Sequence, residues 1–89
     1  MINIGVLGST NGTDLQAILD AIKNKIIDAT VKIVVSNRES AFILERAKNH
    51  GVDARYISHK HKTREEFDRE VTSLLRKQNV DLVLLIGFM

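Results

Sequence analysis

The amino-acid sequence predicts an α/β protein with a Rossmann-like parallel sheet, in which four strands alternate with three helices as β-α-β-α-β-α-β. The strand segments are short and almost continuously apolar, which is typical of a parallel sheet covered on both faces. The segments between them carry apolar residues at helical spacing. With right-handed crossovers, this pattern predicts the strand order 3-2-1-4, with helices on both faces of the sheet.

The first strand, the loop after it and the first helix occupy the start of the chain. Residues 1–7 are apolar and rich in β-branched side chains, and they end before Gly8, which predicts a buried strand. A polar, glycine-containing loop follows. We expect the helix to begin near Thr13, with Thr13 or Asp14 capping its first turn. Its apolar face has the spacing i, i+3, i+4, i+7 and consists of Leu15, Ile18, Leu19 and Ile22.

The second strand and the second helix follow the same pattern. Residues 30–36 are mostly β-branched and predict a strand. Residues 40–50 predict a helix, and Gly51 stands where a left-handed C-terminal cap is expected. The apolar face of this helix is formed by Ile43, Leu44 and Ala47.

The last part of the chain supplies two strands and one helix. Residues 54–57 predict a short third strand. Thr63 and Glu66 have the spacing of a capping box, which predicts the start of the third helix, and the apolar period continues to about Gln78. Residues 81–86 are apolar on both faces and predict the fourth strand.

Composition excludes several classes of function. The chain has 89 residues and no cysteine, which excludes disulfides, cysteine-ligated metal sites and thiol catalysis. The net charge of +2 comes from 13 basic and 11 acidic residues, a balance that argues against a nucleic-acid partner. The sequence has no apolar run of membrane-spanning length and no secretory signal. We expect a cytoplasmic protein that binds neither membrane nor nucleic acid.

The loop after the first strand is the main candidate site. Ligands of such sheets bind beyond the carboxyl ends of the strands, and the segment from Gly8 to Thr13 lies there and opens a helix. Free backbone N–H groups and the helix dipole attract phosphate at such a position. The loop matches neither the P-loop nor the dinucleotide fingerprint. An ordinary strand-to-helix turn is the alternative.

A family resemblance extends this interpretation. Residues 9–18 read Ser-Thr-Asn-Gly-Thr-Asp-Leu-Gln-Ala-Ile. They resemble the opening motif of the phosphoribosylglycinamide formyltransferase family, Ser-Gly-x-Gly-(Ser/Thr)-Asn-Leu-Gln-Ala-Ile. Four later segments resemble the same family in order and spacing, namely residues 35–37, 44–47, 64–70 and 85–89.

The resemblance implies an enzyme of de novo purine biosynthesis. That family transfers a formyl group from 10-formyltetrahydrofolate, the co-substrate, to the amine of glycinamide ribonucleotide, the substrate. By the same resemblance, Gly12, Thr13 and Asp14 occupy the positions that grip the ribonucleotide phosphate. Arg64 occupies a position that contacts the folate, and Met89 begins the folate-binding stretch. No metal is implied.

Two residues depart from the family motif. Thr10 stands where the family usually has Gly, and Asp14 stands where it usually has Asn. A carboxylate near a phosphate dianion is repulsive, although solvent screens the repulsion at an exposed position. Either Asp14 points away while its backbone N–H donates, or the phosphate site is weakened.

The resemblance also implies that residues 1–89 form one N-terminal, substrate-binding half of a formyltransferase domain, apparently truncated after the fourth strand. The family's catalytic Asn, His and Asp lie beyond that strand. We therefore expect the chain alone to be inactive, and we expect a partner at the last strand, either a complementary C-terminal segment or a second copy. The alternative is a non-catalytic Rossmann-like module that binds a phosphorylated ligand or a protein.

The remaining candidates have simpler interpretations. His59 and His61 lie in a loop between lysines, and two ligands are too few for a metal site, so we expect a solvated loop. Arg64 has Asp68 four residues later as an alternative partner. His50 is expected to interact with a helix C-terminus. Both Phe42 and Phe67 are expected in the core.

Overall fold

The computed structural model describes residues 2–9 and 11–86. Seven elements alternate along this part of the chain. They are β1 (Ile2–Gly8), α1 (Thr13–Lys23), β2 (Ala29–Ser36), α2 (Phe42–Asn49), β3 (Asp53–Tyr56), α3 (Arg64–Lys77) and β4 (Leu82–Ile86).

The sheet has the order β3-β2-β1-β4, and every neighbouring pair of strands is parallel. This confirms the predicted α/β class and the predicted order. Strand β1 is central, and its Val6 lies between Val34 of β2 and Leu84 of β4. The carboxyl ends of all four strands consequently meet at one edge, where the loop after β1 also lies.

One face of the sheet is covered by α1 and α2. The apolar stripes of both helices pack on the central strands. This cluster is built on the buried side chains Ile4, Val6, Leu15, Leu19, Ala29, Val31, Val34, Ala41, Ile43, Leu44, Ala47 and Ile86.

The opposite face is covered by α3. Phe67 and Val71 of this helix pack against Ile33, Val35 and Ile57. The sheet is therefore covered on both faces, which is why its central strands carry few polar residues.

An irregularity in the pairing of β1 with β2 lets β2 contribute buried side chains to the core on both faces of the sheet. Ile4 pairs with Val31, but the next residue, Gly5, pairs with Ile33, so Lys32 is an extra residue. Inserting one residue moves the following side chains to the other face. As a result Val31 faces α1 and α2, whereas Ile33 faces α3.

The N-terminal end of the β1–β4 pair is joined by three hydrogen bonds. The Asn3 backbone N–H donates to Asp81 Oδ2 at 2.9 Å, and the Asp81 N–H donates to the Asn3 carbonyl at 2.7 Å. Asn3 Nδ2 also donates to the Asn79 carbonyl at 3.0 Å. These contacts fix the register of two strands that lie far apart in the sequence.

Most element boundaries lie within two residues of the predicted ones. The helix α2 begins at Phe42 rather than residue 40, because the buried Ala41 is its N-cap. The strand β3 begins one residue earlier than predicted. Gly51 has φ +71°, which confirms the left-handed conformation expected after α2.

Strand β4 pairs only with β1 within the described part of the chain. Its side chains Leu82, Val83 and Leu85 are 45%, 41% and 70% exposed. A strand edge of this apolar character is usually covered in folded proteins. Separately, none of the described helices is both long enough and apolar enough to span a membrane.

Candidate functional site

The candidate loop connects the end of β1 to the start of α1. Gly8 is the last residue of the strand, and Ser9 after it is buried. Thr13 is the first residue of the helix. The loop thus lies at the carboxyl edge beside the central strand, as predicted.

Two glycines in this loop are enclosed by Ile43 of α2. A Cβ added at Gly8 would lie 2.5 Å from Ile43 Cδ1 and 2.7 Å from the Ile86 carbonyl oxygen. A Cβ added at Gly12 would lie 2.6 Å from Ile43 Cγ1 and 3.0 Å from Ile43 Cα. All four distances are shorter than van der Waals contact, so the backbone approaches its neighbours this closely only because no side chain intervenes.

Gly12 is the N-cap of α1, which corrects the prediction that Thr13 or Asp14 caps the helix. Its backbone is left-handed, with φ 76° and ψ 28°, and no side chain caps the first turn. The first intrahelical hydrogen bond runs from the Gln16 N–H to the Gly12 carbonyl at 2.9 Å. The N–H groups of Thr13 and Asp14 precede it and have no intrahelical acceptor.

The charges at the first turn of α1 include one contribution that favours an anion and one that opposes it. The N–H groups and the dipole of α1 give its N-terminus a partial positive charge. Thr13 and Asp14 are both exposed, and within the described residues Asp14 forms no ion pair. The carboxylate therefore opposes an incoming anion, and bulk water screens part of that repulsion.

Arg46 of α2 holds the loop from outside, and sequence reasoning missed this role. Its Nε donates to the Asn11 carbonyl at 2.7 Å, and one terminal nitrogen donates to Gln16 Oε1 at 3.3 Å. The guanidinium carbon lies 4.9 Å from the centre of the Phe42 ring. Phe42 is half exposed, so its prediction as a core residue was wrong, and its ring supports Arg46 instead.

Gln16 connects this arginine to two further side chains. Its Nε2 donates to Asp20 Oδ1 at 3.0 Å and lies 3.1 Å from His50 Nε2. Since the amide NH₂ can only donate, a hydrogen bond between the two nitrogens has His50 Nε2 as its acceptor. His50 also terminates α2 as its C-cap, at the position where an interaction with the helix end was expected.

Arg64 lies at another point on the carboxyl edge. It is the first residue of α3, is exposed, and forms no ion pair with Asp68 or any other described residue. Strand β3, which leads to it, is two strands from β1, or about 10 Å at ordinary strand spacing. Arg64 and the candidate loop therefore flank the edge without a hydrogen bond or ion pair between them.

The start of α3 is fixed independently of Arg64. Thr63 Oγ1 accepts from the Glu66 N–H at 3.1 Å, and the Thr63 N–H donates to Glu66 Oε1 at 3.0 Å, which confirms the predicted capping box. The hydrogen bond from the Thr63 backbone, followed by that from its side chain, lowers the pKa of Glu66. The helix end that carries Arg64 is thus well defined.

Five other predicted positions complete the description. Thr10 and Met89 lie outside the described residues. His59 and His61 are exposed, and nowhere in residues 2–9 and 11–86 do three or more His, Asp or Glu side chains group as metal ligands. Phe67 is 7% exposed, which confirms it as a core residue.

Comparison with known proteins gives one consistent result. A family model described as formyl transferase matches residues 2–89. The chain is 44% identical over 89 residues to a phosphoribosylglycinamide formyltransferase of Escherichia coli (strain K12), covering 99% of this chain and 42% of that protein. It is 40% identical over 96 residues to the enzyme of that name from Dictyostelium discoideum, covering 98% of this chain and 47% of that protein.

A solved structure agrees in fold and sequence. Glycinamide ribonucleotide transformylase 1 from Symbiobacterium toebii superposes with a TM-score of 0.96 at 44% identity, covering the whole of this chain and 42% of that one. The chain spans less than half the length of each of these relatives. The resemblance found in the motifs is confirmed, and the chain belongs to the formyl transferase family.

Proposed function

We propose that this chain is the ribonucleotide-binding, N-terminal half of a phosphoribosylglycinamide formyltransferase. The whole enzyme would transfer a formyl group from 10-formyltetrahydrofolate to the amine of glycinamide ribonucleotide, in de novo purine biosynthesis. The observation that carries the proposal is the glycine-lined loop opening α1, found in a chain that is 44% identical to an enzyme of that name.

In this proposal the first turn of α1 binds the substrate phosphate. The backbone N–H groups of Gly12, Thr13 and Asp14 would donate to its oxygens, and the Thr13 hydroxyl would add a fourth donor. Gly8 and Gly12 allow the loop to pack closely against Ile43 of α2, which sets the position of its backbone N–H groups. The phosphate would thereby anchor the ribonucleotide with its amine directed along the carboxyl edge.

The folate side of the proposal rests on Arg64 and Met89. The exposed guanidinium of Arg64 forms no ion pair with a described residue, and such a group suits a carboxylate of the folate. Met89 is assigned to the folate-binding site by family resemblance alone. Formyl transfer additionally needs groups that stabilise the developing oxyanion and remove the amine proton. We assign none of these to the described residues, so the 89-residue chain is proposed to be inactive by itself.

The proposed partner is a complementary C-terminal segment that covers β4. Support comes from the exposed side chains Leu82, Val83 and Leu85 and from relatives more than twice as long as this chain. A second copy of the chain is the alternative occupant. Size-exclusion chromatography with light scattering distinguishes the two, because only the second predicts a stable homodimer.

Calorimetric titration with glycinamide ribonucleotide tests the binding role. The matched ligand is glycinamide riboside, which keeps the sugar and amine and lacks the phosphate. We expect the chain to bind the ribonucleotide and not the riboside. Equal binding of both, or binding of neither, would contradict the assignment of the phosphate to the α1 loop.

Formylation assays test whether formyl transfer requires a C-terminal half in addition to this chain. We expect no product from the chain alone, and product once it is mixed with the separately produced C-terminal half of the Escherichia coli relative. Product from the 89-residue chain alone would overturn the proposed inactivity.

A second candidate is favoured by one observation, the carboxylate of Asp14 in the first turn of α1. In that case the chain is a non-catalytic module that binds a phosphorylated ligand or a protein. Phosphate-dependent binding without activity in the mixture, repeated with an Asp14→Asn variant, would support this candidate over the enzyme.

A further inference from the structure

We propose that Arg46 is a positioning residue for the phosphate-binding loop, which it aims at the ligand without touching the ligand itself. The inference rests on the proposed function, since it concerns how the same loop is presented. Arg46 belongs to α2, not to the loop, and its contact with Asn11 spans 35 positions of the sequence.

The first step is the direction of one peptide unit. Arg46 Nε donates to the Asn11 carbonyl at 2.7 Å, a short hydrogen bond of the charge-assisted kind. In a trans peptide the C=O and the following N–H point in opposite directions. Because Arg46 holds the Asn11 carbonyl toward its own guanidinium, the Gly12 N–H of the same peptide unit is directed away from Arg46.

The second step is the rigidity of Arg46 itself. Its terminal nitrogen donates to Gln16 Oε1 at 3.3 Å, and its guanidinium lies 4.9 Å from the centre of the Phe42 ring. Gln16 is fixed in turn by its hydrogen bond to Asp20 at 3.0 Å. The guanidinium plane is therefore held from three sides, by the loop, by α1 and by its own helix.

The third step separates positioning from simple attraction. A free arginine near an anion site acts through its charge and its own donors, and a lysine would replace much of that effect. Here Nε and one terminal nitrogen are already used on Asn11 and Gln16. A lysine at position 46 keeps the charge but has one nitrogen, so it cannot make both contacts with the same planar geometry.

The experiment compares Arg46→Lys and Arg46→Met with a charge-matched control, Lys48→Met. Lys48 is an exposed cation in the last turn of the same helix, and no described side chain bonds to its ammonium group. Each variant is titrated with glycinamide ribonucleotide and with the riboside. Far-UV circular dichroism and the thermal midpoint establish that each variant is folded.

We expect both Arg46 variants to weaken ribonucleotide binding about tenfold, the usual scale of losing a hydrogen bond to a charged group. Lys48→Met should change it less than about threefold, as expected for a screened surface charge. A second readout is amide hydrogen exchange at Gln16, whose N–H makes the first bond of α1. It should accelerate in both Arg46 variants and not in the control.

Wild-type affinity in Arg46→Lys, together with loss in Arg46→Met, would reduce the role of Arg46 to its charge and overturn the inference. Wild-type affinity in both variants would overturn it as well. In either case the proposed function stands, because the unaltered chain still binds. If the unaltered chain does not bind the ribonucleotide, the proposed function itself fails. Should Arg46→Met not fold, Arg46→Lys alone decides.

Discussion

Replacing Gly12 by alanine tests a point of the candidate site where both the backbone angle and the space for a side chain are restricted. The new Cβ would lie 2.6 Å from Ile43 Cγ1, 2.9 Å from Ile43 Cβ and 3.0 Å from Ile43 Cα. Ile43 is completely buried, and two of these atoms are on or next to the backbone of α2. Rotating a side chain cannot relieve the clash, so the loop and the helix must separate.

Two costs add in this variant. An alanine at φ +76° carries the left-handed penalty of about 1–2 kcal/mol. Overpacking against a buried neighbour adds about 1–3 kcal/mol. We therefore expect the free energy of unfolding to fall by about 2–5 kcal/mol, a large share of the stability of a domain this small.

The assay is urea unfolding followed by far-UV circular dichroism, with Gly51→Ala as the matched control. Gly51 has a similar φ of +71°, but an added Cβ there meets nothing within 4 Å. The control therefore carries only the left-handed penalty, and the difference between the two variants measures the contact with Ile43. Equal losses in both variants would refute the reasoning, since the loop would then not rest on α2.

A second substitution, Ile43→Val, sharpens this test. It removes Cδ1, the atom nearest a Cβ at Gly8, and leaves Cγ1, the atom nearest a Cβ at Gly12. We therefore expect it to leave the loss caused by Gly12→Ala unrelieved. If Ile43→Val instead restored the stability lost in Gly12→Ala, helix α2 would have to move away from the loop at this point.

Two further predictions concern charge. Replacing Asp14 by Asn should tighten ribonucleotide binding roughly threefold to tenfold at low salt, because two like unit charges about 4 Å apart in water repel each other by about 1 kcal/mol. Calorimetry at two salt concentrations checks this, and an unchanged affinity would mean that Asp14 points away from the phosphate. Replacing Glu66 by Gln should lower stability at neutral pH. The hydrogen bonds from Thr63 lower the pKa of Glu66 below its ordinary value of 4.5, so its contribution is complete above that pH and disappears as the pH falls through the lowered value. Urea midpoints of both proteins should converge under acid conditions, and a constant gap between them down to low pH would contradict the capping role.

Local pattern was sufficient for the architecture. The apolar strands and the right-handed crossover rule led to the order 3-2-1-4, and the capping box at Thr63 and Glu66 formed as its spacing indicated. The residue that caps α1 was missed for a physical reason. Hydroxyl and carboxylate side chains are the common caps, whereas here the left-handed backbone of Gly12 turns the chain and no side chain participates.

The contacts that organise the site depend on tertiary structure and could not be predicted in the same way. By sequence, Arg46 is a cation in the last turn of a helix, where the dipole alone would account for it. Only the packing of α1 beside α2 brings its guanidinium to Asn11 and Gln16. Phe42 was assigned to the core because it is aromatic, although its position lies one residue outside the buried stripe of α2.

The place of β1 in the sheet has a consequence for how the chain acquires its structure. Strand β1 is synthesised before β4, its partner across the Asn3–Asp81 hydrogen bonds, which lies 78 positions later. Contacts between such distant positions form slowly, since a long loop must close before they stabilise anything. We expect nascent chains halted before β4 leaves the ribosome to be cleaved by protease much faster than released chains, because one edge of β1 stays open until β4 arrives. Equal resistance of both would show that β4 is dispensable for assembling the rest of the sheet.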